Sequence, residues 1–525
     1  LLLLIGLPVA LVISITRSQH PHTGEAGNTI LSDFPDSTDG LFKGGPSINI
    51  WNELKKSLSE YNSTLTGPII DNEYMETCEI FDNNPYMTAA ESTCLQFNEC
   101  RFKFCLPDLN AGSNLPTFVA NVRSEKAIEV AILFASENNV TISIKTTGWS
   151  FKGSSTAYGS LMVLMNTFPK DGTILNKYKN SCGSSFPAAV AVGGGEWVDD
   201  VLEEVGDQYF TAFVPFTRAL GVAGGFLQGG GVSLTSRTYG LAIDQVIDFR
   251  VTLANGKTVL ADQCSNHELF WALKGGGGGT FGVVTKVHYK LEPKTSFISL
   301  HFSFFGGDVA HAQGDGEDYT KAIKEWLRFW IEKSPHLDHR WSGVFSSTYC
   351  YLFFFGPRDD ATFIDEFNDW FNNDLNQLYL SSSKWGASLP KIEYHSSWYQ
   401  YRGGSSAFRN PYSILESYIP NLWSVSSRLM EYDEVVNAPE DTLRFLMELS
   451  FTGTTWNSPN FLLGGKVSEV SVNDSSIHPM MRRSLWAIYI FESEGQKVLK
   501  KHFKSKENAC LFNFHSVAEQ NRQAF

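Results

Sequence analysis

The sequence predicts an α+β protein: a glycine-laced first domain of mixed helices and strands, then a domain built on an antiparallel β-sheet flanked by helices. Three observations carry this. Apolar strand-like runs alternate with amphipathic helical segments between Thr117 and Glu292. Three glycine-rich segments, Thr146–Ser155, Leu220–Gly231 and Gly275–Gly282, each sit against such runs. From Phe297 the texture changes to aromatic-rich strands such as Phe302–Phe305 and Tyr349–Phe355, interleaved with amphipathic helices such as Lys321–Glu332.

Taken in order, Ser124 caps a helix whose apolar face is Ala127, Val130, Ala131 and Phe134, and Asn138-Asn139 ends it. Val140–Lys145 alternates as a strand and runs straight into the first glycine segment, and Leu161–Met165 reads as a buried strand. Ala188–Val192 is another, followed by a Gly193–Gly195 turn and a helix facing inward through Trp197, Val198, Val201, Leu202 and Val205. Ile247, Phe249, Val251 and Leu253 alternate with polar residues, and Asn255-Gly256 predicts a type I′ hairpin turn. Ser265 and Glu268 form a capping-box pattern before a short helix through Leu273, which Lys274 and glycine stop. In the last strand of this region Val283, Thr285, Val287 and Tyr289 face one way and Lys286, His288 and Lys290 the other.

These patterns divide the chain into a signal peptide or its remnant (1–16), a cysteine-containing region (17–115), the first domain (116–293), the second domain (294–477) and a C-terminal return to the first domain (478–525) whose end reads as incomplete. With 525 residues, 42% of them hydrophobic and 14% aromatic, the chain can bury more than one core. A net charge of -14 and a pI near 5.4 argue against nucleic acid as a partner and leave small molecules. The opening apolar run Leu1–Ile15 is shorter than the roughly 20 residues of a bilayer span, so a signal peptide is expected before a membrane anchor, which a longer upstream run would make. Cys78, Cys94, Cys100 and Cys105 lack paired Cys-x-x-Cys knuckles, so disulfides are expected there and no metal. Sequons at Asn62, Asn139 and Asn473 agree with a glycosylated, secreted or lumenal protein.

Glycine lets backbone N–H groups approach a phosphate or ring closely. Three such loops in one region point to an extended ligand with a pyrophosphate and a flat ring, and a flavin dinucleotide fits that description. Competing readings fail on residues. The Gly148–Gly153 spacing is followed by Ser154-Ser155 where a nucleotide P-loop needs Lys-Ser/Thr. No Gly-x-Gly-x-x-Gly opens a helix, His267-Glu268 lacks the second histidine of a zinc protease, and no Gly-x-Ser-x-Gly elbow is present. The five-glycine run could be a flexible linker, but a patterned helix precedes it and an alternating strand follows.

Several motifs together carry a resemblance: Phe118–Arg123, Lys145–Thr156, Gly193–Val198, Gly221–Gly231, Tyr239–Asp244 and Leu269–Thr285. In order and spacing the chain from about Cys78 onward resembles the FAD-linked oxidases of the vanillyl-alcohol oxidase type, within them the berberine-bridge-enzyme-like and oligosaccharide-oxidase group. The resemblance implies a two-subdomain, PCMH-type FAD-binding domain and a substrate domain whose antiparallel sheet covers the flavin ring. It implies hydride transfer from a hydroxyl-bearing small molecule, a sugar or a secondary-metabolite alcohol, to flavin N5, with dioxygen reoxidising the ring. Carried over residue by residue, the cofactor-binding set is Thr147, Gly148, Trp149, Ser150, Gly153, Ser154, Thr217, Gly221, Gly224, Gly225, Gly230, Asp244, Gly282, Val283 and Asn513.

Departures from the family pattern bear on chemistry. Trp149 stands where the family's flavin-linked histidine is usual, and Thr217 where bicovalent members have a cysteine. Indole cannot form the histidyl bond, so noncovalent FAD is expected. Leu511 replaces the usual C-terminal tyrosine beside Asn513, which leaves the catalytic base unassigned, with His515 a surrogate or a plain surface histidine. Two functions follow as expectations: an FAD-dependent oxidoreductase, oxidase before dehydrogenase, or a non-catalytic relative that keeps the fold and binds FAD weakly or not at all.

Overall fold

In the computed structural model, which describes residues 45–67, 116–148, 155, 157, 159–213, 220–303, 317–357, 359–382, 389–404, 425–452, 459–491 and 493–503, the described residues build three small sheets and one large one. The first holds β1 (Thr64–Thr66), β2 (Phe118–Asn121), β3 (Ile142–Lys145) and β4 (Leu161–Leu164) in the order β1-β2-β4-β3. β2, β4 and β3 run parallel, because the helix Glu125–Glu137 carries the chain back across the sheet. Ser124 caps that helix, its side chain accepting from the Ala127 N–H at 3.2 Å. The buried face is Ala127, Ile128, Ala131, Ile132 and Ala135, slightly rotated from the expected stripe, with Val130 and Phe134 half-buried at its border. Another helix, Ile48–Ser59, joins the same core by stacking Trp51 on Phe118 at 4.1 Å between ring centres. The four clustered cysteines lie outside the described residues.

The second sheet holds β5 (Ile174–Lys179), β6 (Ser185–Gly193), β8 (Val246–Thr252), β9 (Thr258–Ala261) and β10 (Val283–Lys290), antiparallel in the order β5-β6-β10-β8-β9. A short pair, β7 (Tyr209–Phe210) and β11 (Glu292–Pro293), lies beside it. The β8–β9 hairpin forms where alternation places it, but its turn is not type I′. Leu253 and Lys257 close a three-residue loop in which Gly256 alone takes positive φ, at +79°. That is a type I turn ending in a bulge, which needs one left-handed residue where type I′ needs two.

A second correction concerns the helix His267–Leu273. Its N-cap is Asn266 in the left-handed region, and the Ser265–Glu268 capping box does not form. Asp262 explains why: its carboxylate captures the N–H groups of Ser181, Cys264 and Ser265, and Ser265 Oγ donates to Ser181 Oγ at 2.9 Å. A disulfide between Cys182 and Cys264, 82 residues apart, fastens the same corner.

The large sheet holds β12 (Phe297–Ser303), β13 (Trp341–Phe345), β14 (Tyr349–Phe355), β15 (Lys391–His395), β16 (Val425–Glu431), β17 (Asn460–Leu462) and β18 (Ser484–Phe491) in the order β15-β12-β14-β13-β17-β18-β16. One face packs Phe302, Phe345 and Phe354 against Trp326, Trp330 and the other residues of the flanking helices. The opposite face shares a continuous core with the first domain, Phe355 touching Phe210 and Tyr239. Here the expected C-terminal return needs correction: Ile477, Met480 and Met481 do join that shared core, but β18 inserts between β17 and β16. An eight-residue apolar strand is better paired on both edges inside a sheet than laid over a finished domain.

Candidate functional site

The three glycine segments converge on one cleft. β3 delivers Thr146, Thr147 and Gly148 to one wall. Leu220, Gly221, Ala223 and the first turn of the short helix Gly225–Gln228 form a second. Gly278 and Gly279, with Gly282, Val283 and Val284 at the start of β10, close the third.

Close approach of these walls explains the glycines as physically as any ligand does. A Cβ on Gly224 would stand 2.5 Å from Thr146 Oγ1, and one on Gly278 2.7 Å from the Gly225 Cα. Both lie well inside contact distance, and at Gly278 the obstacle is backbone, so no side-chain rotation relieves it.

Among the described residues that line the cleft, none carries a charge. An anionic group held here would rest on backbone N–H groups and the hydroxyls of Thr146, Thr147 and Ser155. Gln228 adds a polar signature: buried in the wall, it donates from Nε2 to the Ala223 carbonyl at 3.0 Å, while its Oε1 has no partner among the described residues. A buried acceptor left unpaired costs roughly 1–3 kcal/mol, so this oxygen would favour a donor placed in the cleft. Hydroxyl and backbone N–H donors, one accepting amide oxygen and a slot without side-chain bulk are what an FAD ribityl-diphosphate needs, and the residues present fit it.

Behind the cleft, Glu196 follows the Gly193–Gly195 turn and accepts from the N–H groups of Gly193 at 2.8 Å and Asp171 at 2.5 Å. Burial pushes its carboxyl up to about 7, the neighbouring Asp200 and Asp171 adding to it against those two donors. A folded-state value raised above the unfolded one favours the fold below the ordinary carboxylate range, and that contribution is lost as pH rises through about 7. Between pH 5 and pH 8 the wild-type melting temperature is therefore expected to fall relative to that of Glu196→Gln, which thermal melts across the range would check.

Of the residues expected to touch a cofactor, Thr147, Gly148, Gly221, Gly224, Gly225, Gly282 and Val283 line this cleft. Gly230 and Asp244 do not. A Cβ on Gly230 would meet Ile477 Cδ1 at 2.3 Å, and the Asp244 carboxylate is held by Arg482, so both sit at contacts between distant segments. Trp149, Ser150, Gly153, Ser154, Thr217 and Asn513 lie outside the described residues. Sequence reasoning missed Gln228, Phe226 and Val284, although all three sit within or beside the quoted glycine motifs. Among the described residues no group of three or more His, Cys, Asp or Glu is placed to hold a metal, and no helix is long and apolar enough to cross a membrane.

This architecture is the VAO-type flavoprotein fold. A VAO-type flavoprotein from Myceliophthora thermophila superposes with a TM-score of 0.65 at 19% identity, over 90% of this chain and 89% of that one. The glucooligosaccharide oxidase of Acremonium strictum does so with a TM-score of 0.56 at 17% identity, over 78% and 85%.

Residues 116–262 match the FAD binding domain family, so FAD is the cofactor this domain supports. The chain is similar to the fungal FAD-linked oxidoreductases. It is 32% identical over 285 residues to the FAD-linked oxidoreductase phmC of Phaeosphaeria nodorum, covering 52% of this chain and 63% of that protein. It is 26% identical over 408 residues to an uncharacterized FAD-linked oxidoreductase of Arthroderma benhamiae, over 74% and 67%. The chain thus spans less than two-thirds of the length of the first of these relatives.

Proposed function

We propose that this protein is an FAD-dependent oxidoreductase that holds its flavin without a covalent bond and oxidises a hydroxyl-bearing small molecule, with dioxygen as the electron acceptor. The observation that carries the reading is the convergence of three separate glycine segments on one cleft, uncharged among its described residues, within and beside the FAD-binding span. Thr146, Thr147 and Gly148 would meet the diphosphate from one side and the Gly221–Gly225 backbone from the other, with Gln228 accepting from a cofactor hydroxyl. FAD, when bound, supplies a two-electron acceptor; the chain supplies binding, orientation and the exclusion of water. Trp149 and Thr217, in place of the family's two anchoring residues, support noncovalent retention.

A secretory route fits the Cys182–Cys264 disulfide, since such bonds persist in oxidising compartments. It also fits the exposure of all three sequon asparagines, Asn62, Asn139 and Asn473.

Acid precipitation of the purified protein tests the proposal. Yellow colour is expected in the supernatant. Colour retained in the pellet would mean a covalent link and overturn the noncovalent assignment, whereas a preparation lacking flavin absorbance that takes up no added FAD would favour the non-catalytic relative.

A further inference from the structure

The turn that carries Glu196 is in backbone contact with the residues that form the cleft. The Glu196 carbonyl accepts from the Val222 N–H at 3.2 Å, the Val198 N–H donates to the Leu220 carbonyl at 3.0 Å, and the Gly194 N–H donates to Thr285 on β10 at 2.9 Å. A Cβ on Gly194 would stand 2.5 Å from the Val284 carbonyl oxygen and 2.7 Å from Met165 Cε. Met165, Leu220 and Val284 line the cleft, so the turn lies directly behind the surface that would meet the diphosphate.

Three carboxylates gather at this turn, and their charges are met unequally. Asp171 pairs with Lys286 at 2.5 Å and Asp200 with Lys170 at 2.8 Å. Glu196, only 1% exposed, has no lysine or arginine partner among the described residues, and its carboxyl rests on the N–H groups of Gly193 and Asp171. Of the elements packed around it, the Leu220–Val222 segment brings no charge. The helix Val198–Val205 brings Asp200 and, against Gly172, Glu204; β10 brings Lys286 and, beyond Thr285, the paired Glu125 and Arg250.

Burial, with Asp200 and Asp171 adding to it, already raises the Glu196 carboxyl to about 7, so a modest further negative potential keeps its proton in place near neutrality. FAD would bring that potential, because both its phosphates are ionised and no cation lines the cleft among the described residues. Behind a thin, dry wall a like charge disfavours the carboxylate strongly. A protonated carboxyl keeps enough acceptor capacity for both N–H groups, so the turn survives the change.

We propose that Glu196 is the positioning residue through which FAD binding is coupled to proton uptake: neutral, it holds the turn behind the cleft and admits the cofactor's anionic bridge in front of it. The coupling rests on the FAD-binding reading above and adds one proton to it. That proton comes from solvent and neutralises the carboxylate, and no bond to the flavin forms.

The test is the FAD affinity of the purified full chain, read from flavin fluorescence released on serial dilution, for wild type and Glu196→Gln. Wild-type affinity is expected to weaken about fivefold from pH 6 to pH 8, and that of Glu196→Gln to change less than about twofold, because an amide has no proton to lose. Infrared difference spectra of wild type carry the test if the variant fails to fold: a protonated-carboxyl band should grow on FAD binding at slightly alkaline pH. An affinity that is flat across this range, a slope that Glu196→Gln retains, or an unchanged carboxyl band would each overturn the coupling. A chain that holds no FAD at any pH defeats the proposed function and the coupling with it, whereas FAD held with pH-independent affinity defeats the coupling alone.

Discussion

Asp244→Leu is expected to lower the free energy of unfolding by about 3–5 kcal/mol, a loss that a urea titration would read directly. Arg482 is almost wholly buried and meets the Asp244 carboxylate through two parallel bonds, NH1 to Oδ2 at 2.7 Å and NH2 to Oδ1 at 2.8 Å. The same carboxylate accepts the Leu241 N–H at 2.9 Å, so one residue fixes a turn of the first domain and anchors the segment that leads into β18. Removing it leaves a buried guanidinium with, among the described residues, Ser475 Oγ at 3.2 Å and the Val467 carbonyl at 3.4 Å for compensation.

Two further measurements separate this structural role from a cofactor contact. Asp244→Leu combined with Arg482→Met should recover part of the loss, because the stranded charge is then gone. FAD affinity measured well below the melting temperature should stay within about threefold of wild type, because Asp244 lies off the cleft. A hundredfold loss of FAD affinity in a stably folded Asp244→Leu protein would return this aspartate to the cofactor site.

Features that depend on neighbours in sequence were legible before any coordinates. The Ser124 cap, the alternation in β10 and the glycine segments at strand ends are all local, and local chemistry set them. What escaped was decided by distant competitors. Ser265 fails to cap its helix because Asp262 takes its N–H, and the hairpin turn is set by where Leu253 and Lys257 meet. The Asp244–Arg482 pair was not legible, because its two members stand 238 residues apart. His301 and Tyr351 stack ring on ring only through the β12–β14 register, which neither strand's sequence specifies alone. Within the cleft the glycines announced themselves, whereas Gln228 gained meaning only when its Oε1 proved unpaired in the folded wall.

Gly278→Val should lower FAD affinity by at least about a hundredfold, equivalent to roughly 2.7 kcal/mol, as read by quenching of flavin fluorescence on titrating the protein. The first atom added at this position lies 2.7 Å from the Gly225 Cα and 3.2 Å from its amide nitrogen. Backbone faces backbone, so the third glycine segment must retreat from the second, and the cleft they form with Thr146–Gly148 opens. Global stability should suffer less, by about 1–3 kcal/mol, the usual cost of overpacking, because the cores on both sides of the cleft are continuous without this contact. The contrast with Asp244→Leu is the useful part. One substitution is expected to cost stability and spare FAD, the other to cost FAD and largely spare stability. If Gly278→Val binds FAD as tightly as wild type, this cleft does not hold the diphosphate and the glycines serve only to let the loops touch.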